Sequence, residues 1–125
     1  MSANDVHFFF KMREQIKLYH WQTMSYSRHK ATDEVLEKLD ALIDRYVEVY
    51  MGKYGRPRLG ASTNTTKISN LSETSAVRFI KACIGYLLTD LLPNANRRPA
   101  DSDLANIRDE MLAELNQLLY LFTLH

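Results

Sequence analysis

Glycine, proline and cysteine are scarce in this sequence, with four glycines, three prolines and one cysteine among 125 residues. A single cysteine cannot form an internal disulfide, which excludes a disulfide-rich scaffold and fits a reducing, cytoplasmic compartment. Lysine and arginine number 16 against 15 aspartates and glutamates, so no bulk charge draws the chain to nucleic acid or anionic lipid. No apolar run is long enough to span a membrane, and the polar residues 1–5 are unlike a signal peptide. We expect one soluble domain over residues 1–125.

The glycines and prolines leave four long stretches that contain almost no helix breakers. Apolar side chains recur in each stretch at spacings of three and four residues, which is typical of amphipathic helices. The predicted helices run from about residue 5 to 24, 27 to 51, 72 to 92 and 101 to the last residue. Their apolar positions are Phe9, Met12, Ile16, Tyr19 and Thr23, then Val35, Leu39, Leu42, Tyr46 and Val49, then Val77, Ile80, Ile84, Leu87 and Leu91, and finally Leu104, Ile107, Met111, Leu115, Leu118 and Phe122. The pattern predicts an all-α four-helix bundle.

The lengths of the three connections predict the topology of the bundle. The first and third connections are short, so the helices that they join are antiparallel neighbours. The middle connection, residues 52–71, is long enough to run the length of a helix. A short, a long and a short connection predict a ferritin-like bundle with one long crossover between helices 2 and 3. A surface loop that does not follow the bundle is the alternative.

One side of the second helix is rich in carboxylates. At about 100° per residue, one histidine and five acidic residues share a face opposite the apolar side chains. We call this the acidic face, and it consists of His29, Asp33, Glu37, Asp40, Asp44 and Glu48. Crowded carboxylates repel one another unless water or a cation neutralises them. Lys30, Lys38 and Arg45 could form ion pairs there, and a merely solvated surface is the simpler interpretation.

Two features favour a metal site on the acidic face. His29 lies four residues before Asp33, and Asp44 four before Glu48, so the members of each pair can meet on one helix face. His20 lies across the short first turn from His29. Carboxylates with one or two imidazoles suit Fe(II), Mn(II) or Zn(II). Helices 3 and 4 offer no inward Glu-x-x-His motif, so a metal site would face outward, where a second subunit could complete it.

These residues resemble the Dps-like miniferritins, a family of ferritin-like proteins that form hollow dodecamers and oxidise Fe(II). The resemblance rests on His20-Trp21, His29, Asp33, Asp44, Glu48 and Gly55-Arg56-Pro57. It covers roughly residues 15–57. The segment from Lys17 to Asp33 is also similar to uncharacterised ferritin-like proteins of large DNA viruses.

The resemblance implies a function, a cofactor and a partner. His20, His29 and Asp33 of one subunit would face Asp44 and Glu48 of its partner around iron, with His29, Asp33, Asp44 and Glu48 as the catalytic residues of a ferroxidase that uses dioxygen or peroxide. Zn(II) or Mn(II) could substitute for iron. The assembly would be a homododecamer of two-fold dimers that stores iron and protects against oxidative stress. Because residues 1–5 contain no lysine or arginine, DNA binding is not expected.

A second hypothesis keeps the fold without the chemistry. The chain would then be a non-enzymatic ferritin-like bundle that serves as an assembly or virion component. Metal at the acidic face and the size of the oligomer distinguish the two hypotheses.

Overall fold

Four α-helices account for most of the chain in the computed structural model, which describes residues 1–93 and 99–125. They are α1 (Ala3–Gln22), α2 (Tyr26–Tyr54), α3 (Glu73–Thr89) and α4 (Ser102–Leu121), and a 3-10 turn at Pro99–Asp101 precedes α4. The predicted all-α four-helix bundle is confirmed. None of the described helices is long and apolar enough to span a membrane.

The helix ends follow from local hydrogen bonding. The Ser2, Ser25 and Ser72 side chains each accept a backbone N–H in the first turn of the following helix, which stabilises α1, α2 and α3. Ser72, predicted as an N-cap, also receives the reciprocal contact from Ser75. At the end of α2, Gly55 has φ 97°, a left-handed conformation that glycine adopts without a steric penalty. α2 therefore stops at this glycine, three residues beyond its predicted end.

The core consists largely of the apolar positions read from the sequence. All six predicted positions of α4 are buried, as are the first four of α1. On α2 and α3 four predicted positions are only partly buried, namely Leu42, Val49, Val77 and Ile84. Ile43 on α2 and Ala76 and Cys83 on α3 are buried although they were not predicted. Helices that contact two neighbours bury a wider stripe than a single 3–4 pattern marks.

Contacts between the helix ends establish the topology. The Tyr86 hydroxyl of α3 donates to Asp5 at the start of α1, whereas Thr23 after α1 donates to Glu73 at the start of α3, so these helices are antiparallel. Lys53 near the end of α2 pairs with Asp103 at the start of α4, so those helices are antiparallel as well. Arg13 pairs with Asp40 and His20 lies near Asp33, so α1 and α2 are also antiparallel. α2 and α3 therefore point in the same direction, and a crossover must connect them.

The crossover, residues 55–72, lies along α1 for most of its length. His7 hydrogen-bonds Thr63 and Thr66, and the Gln15 side chain exchanges two hydrogen bonds with the backbone of Ser69. Further along, the Gln22 side chain hydrogen-bonds Asn70. The predicted long crossover is thus confirmed. The connection between α3 and α4 includes residues 94–98, which lie outside the described part of the chain.

One arginine joins all four helices at the end of the bundle that carries the histidines. The Arg28 guanidinium donates to the Tyr19 hydroxyl at 2.9 Å and to the Glu73 carbonyl at 2.7 Å. It also lies 4.5 Å from the centre of the Phe122 ring at the end of α4. Because His29 follows Arg28 directly, these contacts place the first turn of α2 against the last turn of α1.

Candidate functional site

His20 and His29 stack against each other across the turn between α1 and α2. Their ring centroids are 3.9 Å apart and their planes differ by 13°. His20 ends a buried stripe of α1 and is 6% exposed, whereas His29 in the first turns of α2 is partly exposed. The turn from Thr23 to Ser25 is short enough to bring the two rings together.

Each ring donates a hydrogen bond to the backbone of the other residue. The Nδ1 atom of His20 lies 2.8 Å from the carbonyl oxygen of His29, and the Nδ1 atom of His29 lies 2.8 Å from the carbonyl oxygen of His20. A carbonyl oxygen can only accept, so both Nδ1 atoms carry hydrogen. In the neutral rings, both Nε2 atoms therefore keep a free lone pair, the form that binds metal ions.

His20 faces a carboxylate from α2. Its Nε2 atom lies 3.9 Å from Oδ1 of Asp33, too far for a hydrogen bond. Burial lowers the pKa of His20, and the neighbouring Asp33 carboxylate acts in the opposite direction. At neutral pH two acceptors, a bare nitrogen and a carboxylate oxygen, thus face each other across 3.9 Å. Such a pair is stabilised when a cation lies between its members.

A buried threonine completes this group. Thr32 is fully buried on α2, and its Oγ1 atom lies 2.9 Å from Nδ1 of His20. We call His20, His29, Thr32 and Asp33 the histidine cluster. Sequence analysis identified its two histidines and its aspartate. It missed Thr32, because a threonine within a helix gives no signal of its own.

Asp44 and Glu48 lie on the same side of α2 but far from the histidine cluster. Both side chains are exposed and border a groove of about 250 Å³ between the end of α2 and the start of α1. Asp33 and Asp44 are 11 residues apart, which corresponds to about 16 Å along the helix. One chain therefore does not bring the five predicted site residues together. Within residues 1–93 and 99–125, no group of three or more His, Cys, Asp or Glu residues is arranged to hold a metal ion.

A second groove, of about 490 Å³, occupies the outer side of the α1–α2 pair between these two places. Its lining residues are Arg13, Glu14, Lys17, Trp21, Asp33, Leu36, Glu37 and Asp40. Arg13 of α1 pairs with Asp40 at 2.8 Å, and Lys17 lies 5.6 Å from the centre of the Trp21 ring. Lys38, expected to neutralise the acidic face, lies near Glu114 of α4 instead. Among the described ion pairs, the lysine or arginine that pairs with the acidic face is therefore Arg13 of α1.

Three large apolar side chains are exposed close to the histidine cluster. Trp21 is 67% exposed, Met24 95% and Tyr26 74%. They occupy the last turn of α1, the loop and the first turn of α2. Trp21 thus does not pack in the core of its own chain.

A protein-family model matches residues 20–122, which is most of the chain and includes all five predicted site residues. The chain belongs to DUF5856, a family of unknown function. Over 49 residues it is 39% identical to an uncharacterised 14.6 kDa protein from the mobD–ri intergenic region of Enterobacteria phage T4. That match spans 39% of this chain and 38% of the phage protein, so it relates only a part of each.

The phage relative agrees with the viral part of the resemblance seen in the sequence. Neither match indicates a Dps-like or ferritin-like protein, and neither names an activity or a cofactor. No solved structure matches the chain at a significant level.

Proposed function

We propose that this protein is a Dps-like miniferritin that oxidises and stores iron at a site shared between two subunits. The observation that carries the proposal is the histidine cluster, in which both imidazoles are held by Nδ1 and the bare Nε2 of His20 faces Asp33. Two imidazole nitrogens and a carboxylate suit Fe(II), with Zn(II) or Mn(II) as substitutes.

The position of Asp44 and Glu48 supports a shared site. They lie on the acidic face with His29 and Asp33, but about three to five helical turns further along α2. In a two-fold dimer that pairs the outer sides of α1 and α2 in antiparallel fashion, the start of one α2 meets the end of the other. Asp44 and Glu48 of the second subunit would then complete an oxygen-rich shell around the iron. Each dimer would contain two such sites.

The charges on this side favour self-association. Arg13 and Lys17 follow α1 while the carboxylates follow α2, so a second copy in antiparallel orientation can place cations opposite carboxylates. The exposed Trp21 lies at the edge of the same groove and would be covered by the partner. A closed homododecamer built from such dimers is the assembly that the resemblance implies.

Iron is the substrate of the proposed reaction. The Nε2 atoms of His20 and His29 bind Fe(II), and the carboxylates neutralise the additional charge as it becomes Fe(III). Each Fe(II) passes one electron to dioxygen or peroxide, which takes up protons from water. The assembly then retains the Fe(III).

Mixing two inactive variants tests the shared site. His29→Asn removes a ligand at one end of α2, and Glu48→Gln removes one at the other end. We expect each variant alone to oxidise Fe(II) much more slowly than the wild type. In a dimer of one His29→Asn chain and one Glu48→Gln chain, one site lacks both ligands and the other site is intact.

After unfolding together and refolding, an equal mixture should recover about one quarter of the wild-type rate, because half of the dimers are mixed and half of their sites are intact. A mixture of His29→Asn and Asp33→Asn is the control, since both changes lie at the same end and should not complement. Wild-type rates in the single variants would refute the ferroxidase. Inactive variants that fail to complement would refute a site shared between two subunits.

A second candidate function is a structural one, in which the bundle is an assembly or virion component without enzymatic activity. The exposed Trp21, Met24 and Tyr26 favour it, because a surface of this kind suits contact with another protein. Native mass and metal content measured on one sample distinguish the two. An iron-free assembly that does not oxidise added Fe(II) would support the structural role.

A further inference from the structure

Thr32 is a polar residue at a fully buried position near the start of α2. A buried hydroxyl without partners would cost about 1–3 kcal/mol, so its hydrogen bonds matter. Its Oγ1 atom lies 2.7 Å from the carbonyl oxygen of Arg28 and 3.1 Å from that of His29. Because carbonyls only accept, the hydroxyl hydrogen of Thr32 is donated to one of them.

The Thr32 hydroxyl also contacts the ring of His20. Nδ1 of His20 lies 2.9 Å from Oγ1, and only lone pairs of the oxygen remain available to it. Nδ1 must therefore be the donor in this contact. The His29 carbonyl, at 2.8 Å from the same Nδ1, imposes the same choice. The His29 carbonyl and the Thr32 hydroxyl oxygen thus both accept from the Nδ1–H group of His20, and together they define the tautomer and the orientation of its ring.

We propose that Thr32 is a positioning residue, whose hydroxyl holds the His20 ring so that the bare Nε2 faces Asp33 and can bind a divalent transition-metal ion. This role rests on the proposed function. A valine would fill the same volume but could not accept from Nδ1. The ring would then be held by the His29 carbonyl alone, and its Nε2 would spend less time opposite Asp33.

Thr32→Val and Thr32→Ser distinguish the effect of the hydroxyl group from the effect of side-chain volume. With Zn(II) as a redox-silent probe, titrated into the intact assembly and followed by calorimetry, we expect Thr32→Val to weaken binding about 10- to 100-fold. Thr32→Ser keeps the hydroxyl and should bind within about threefold of the wild type. Thr89→Val is the control for loss of a threonine hydroxyl, because the exposed Thr89 also donates to a carbonyl one turn earlier, that of Gly85, remote from the site. It should bind Zn(II) as the wild type does.

A nitrogen-15 NMR spectrum of the metal-free protein at neutral pH reports the tautomer and the order of the His20 ring, which a change in side-chain packing alone would not alter. In the wild type and in Thr32→Ser, the His20 ring should carry its hydrogen on Nδ1 in a single ordered state. In Thr32→Val the ring is held by the His29 carbonyl alone, so its signals should be broadened by exchange between ring orientations.

The outcomes are separable. Zn(II) binding by the wild type that persists unchanged in Thr32→Val would refute the role of Thr32 and leave the metal site standing. Absence of Zn(II) binding in the wild type would refute the proposed function itself. Hydrogen on Nε2 of His20 in the wild type would overturn the proposed role of Thr32. If Thr32→Val failed to fold, Zn(II) binding by Thr32→Ala would be compared with that by Thr32→Ser instead.

Discussion

Replacing His29 by alanine should reduce both the stability of the fold and the rate of iron oxidation, for separate reasons. The His29 ring donates to the His20 carbonyl, one of the carbonyls at the end of α1 that has no partner within its own helix. It also stacks on the His20 ring at 3.9 Å. Alanine keeps neither contact.

The loss of stability can be added up from these contacts. The hydrogen bond contributes about 1 kcal/mol, and the stacked pair about another 1 kcal/mol. Alanine is the better helix former by about 0.5 kcal/mol, which offsets part of the loss. We expect His29→Ala to lower the free energy of unfolding by about 1.5 kcal/mol, or the Tm by about 5 °C for a chain of this length.

His29→Asn is the control that separates capping from metal binding. The asparagine Nδ2 takes the place of the imidazole Nδ1 and can still donate to the His20 carbonyl, but the ring and its Nε2 are gone. Its stability should fall by about 1 kcal/mol, the part due to the stack. Its rate of Fe(II) oxidation should fall as far as that of His29→Ala.

Urea unfolding of metal-free protein and stopped-flow Fe(II) oxidation measure the two effects. If His29→Ala were as stable as the wild type, the cap and the stack would not contribute as argued. Wild-type oxidation by a folded His29→Asn would show that His29 is no ligand.

Three further predictions follow from the same contacts. Burial lowers the pKa of His20 below the unfolded value of about 6.5, so the unfolded chain binds more protons on acidification. The stability that is present above pH 6.5 should therefore be lost as the pH falls. Urea unfolding at several pH values should show a weaker loss in His20→Asn. Asp101 is 1% exposed, accepts a hydrogen bond from the Tyr54 hydroxyl and has its Oδ1 atom 3.4 Å from Nζ of Lys53. Asp101→Ala should therefore lower the free energy of unfolding by about 2–3 kcal/mol, and an unchanged melting curve would contradict this. Burial raises the pKa of the Cys83 thiol to about 12, so a thiol reagent at pH 8 should label it only in the unfolded protein; rapid labelling of the native protein would contradict the burial.

Much of the candidate site was predictable because it depends on positions within one helix. His29 with Asp33 and Asp44 with Glu48 share a face of α2 for any sequence that is helical there, and the helical spacing alone predicts this. The proximity of His20 to His29 followed from the shortness of the first turn. The role of Thr32 could not be predicted, because a threonine at a buried position looks like any small core residue until its neighbours across the turn are known.

The amino-acid sequence by itself determined the four helices, most of the core and the single long crossover, because periodicity and connection length are properties of the chain. The tertiary structure decided which atoms meet. Only the packing of α1 against α2 stacks the two imidazoles, pairs each Nδ1 with the opposite carbonyl and leaves the Nε2 of His20 facing Asp33. These contacts depend on side-chain directions across a turn, to fractions of an ångström, and hydrophobic periodicity carries no information at that scale. The same packing keeps Asp44 and Glu48 about 16 Å or more from Asp33 on a rigid helix, so a site that uses all of them needs a second chain.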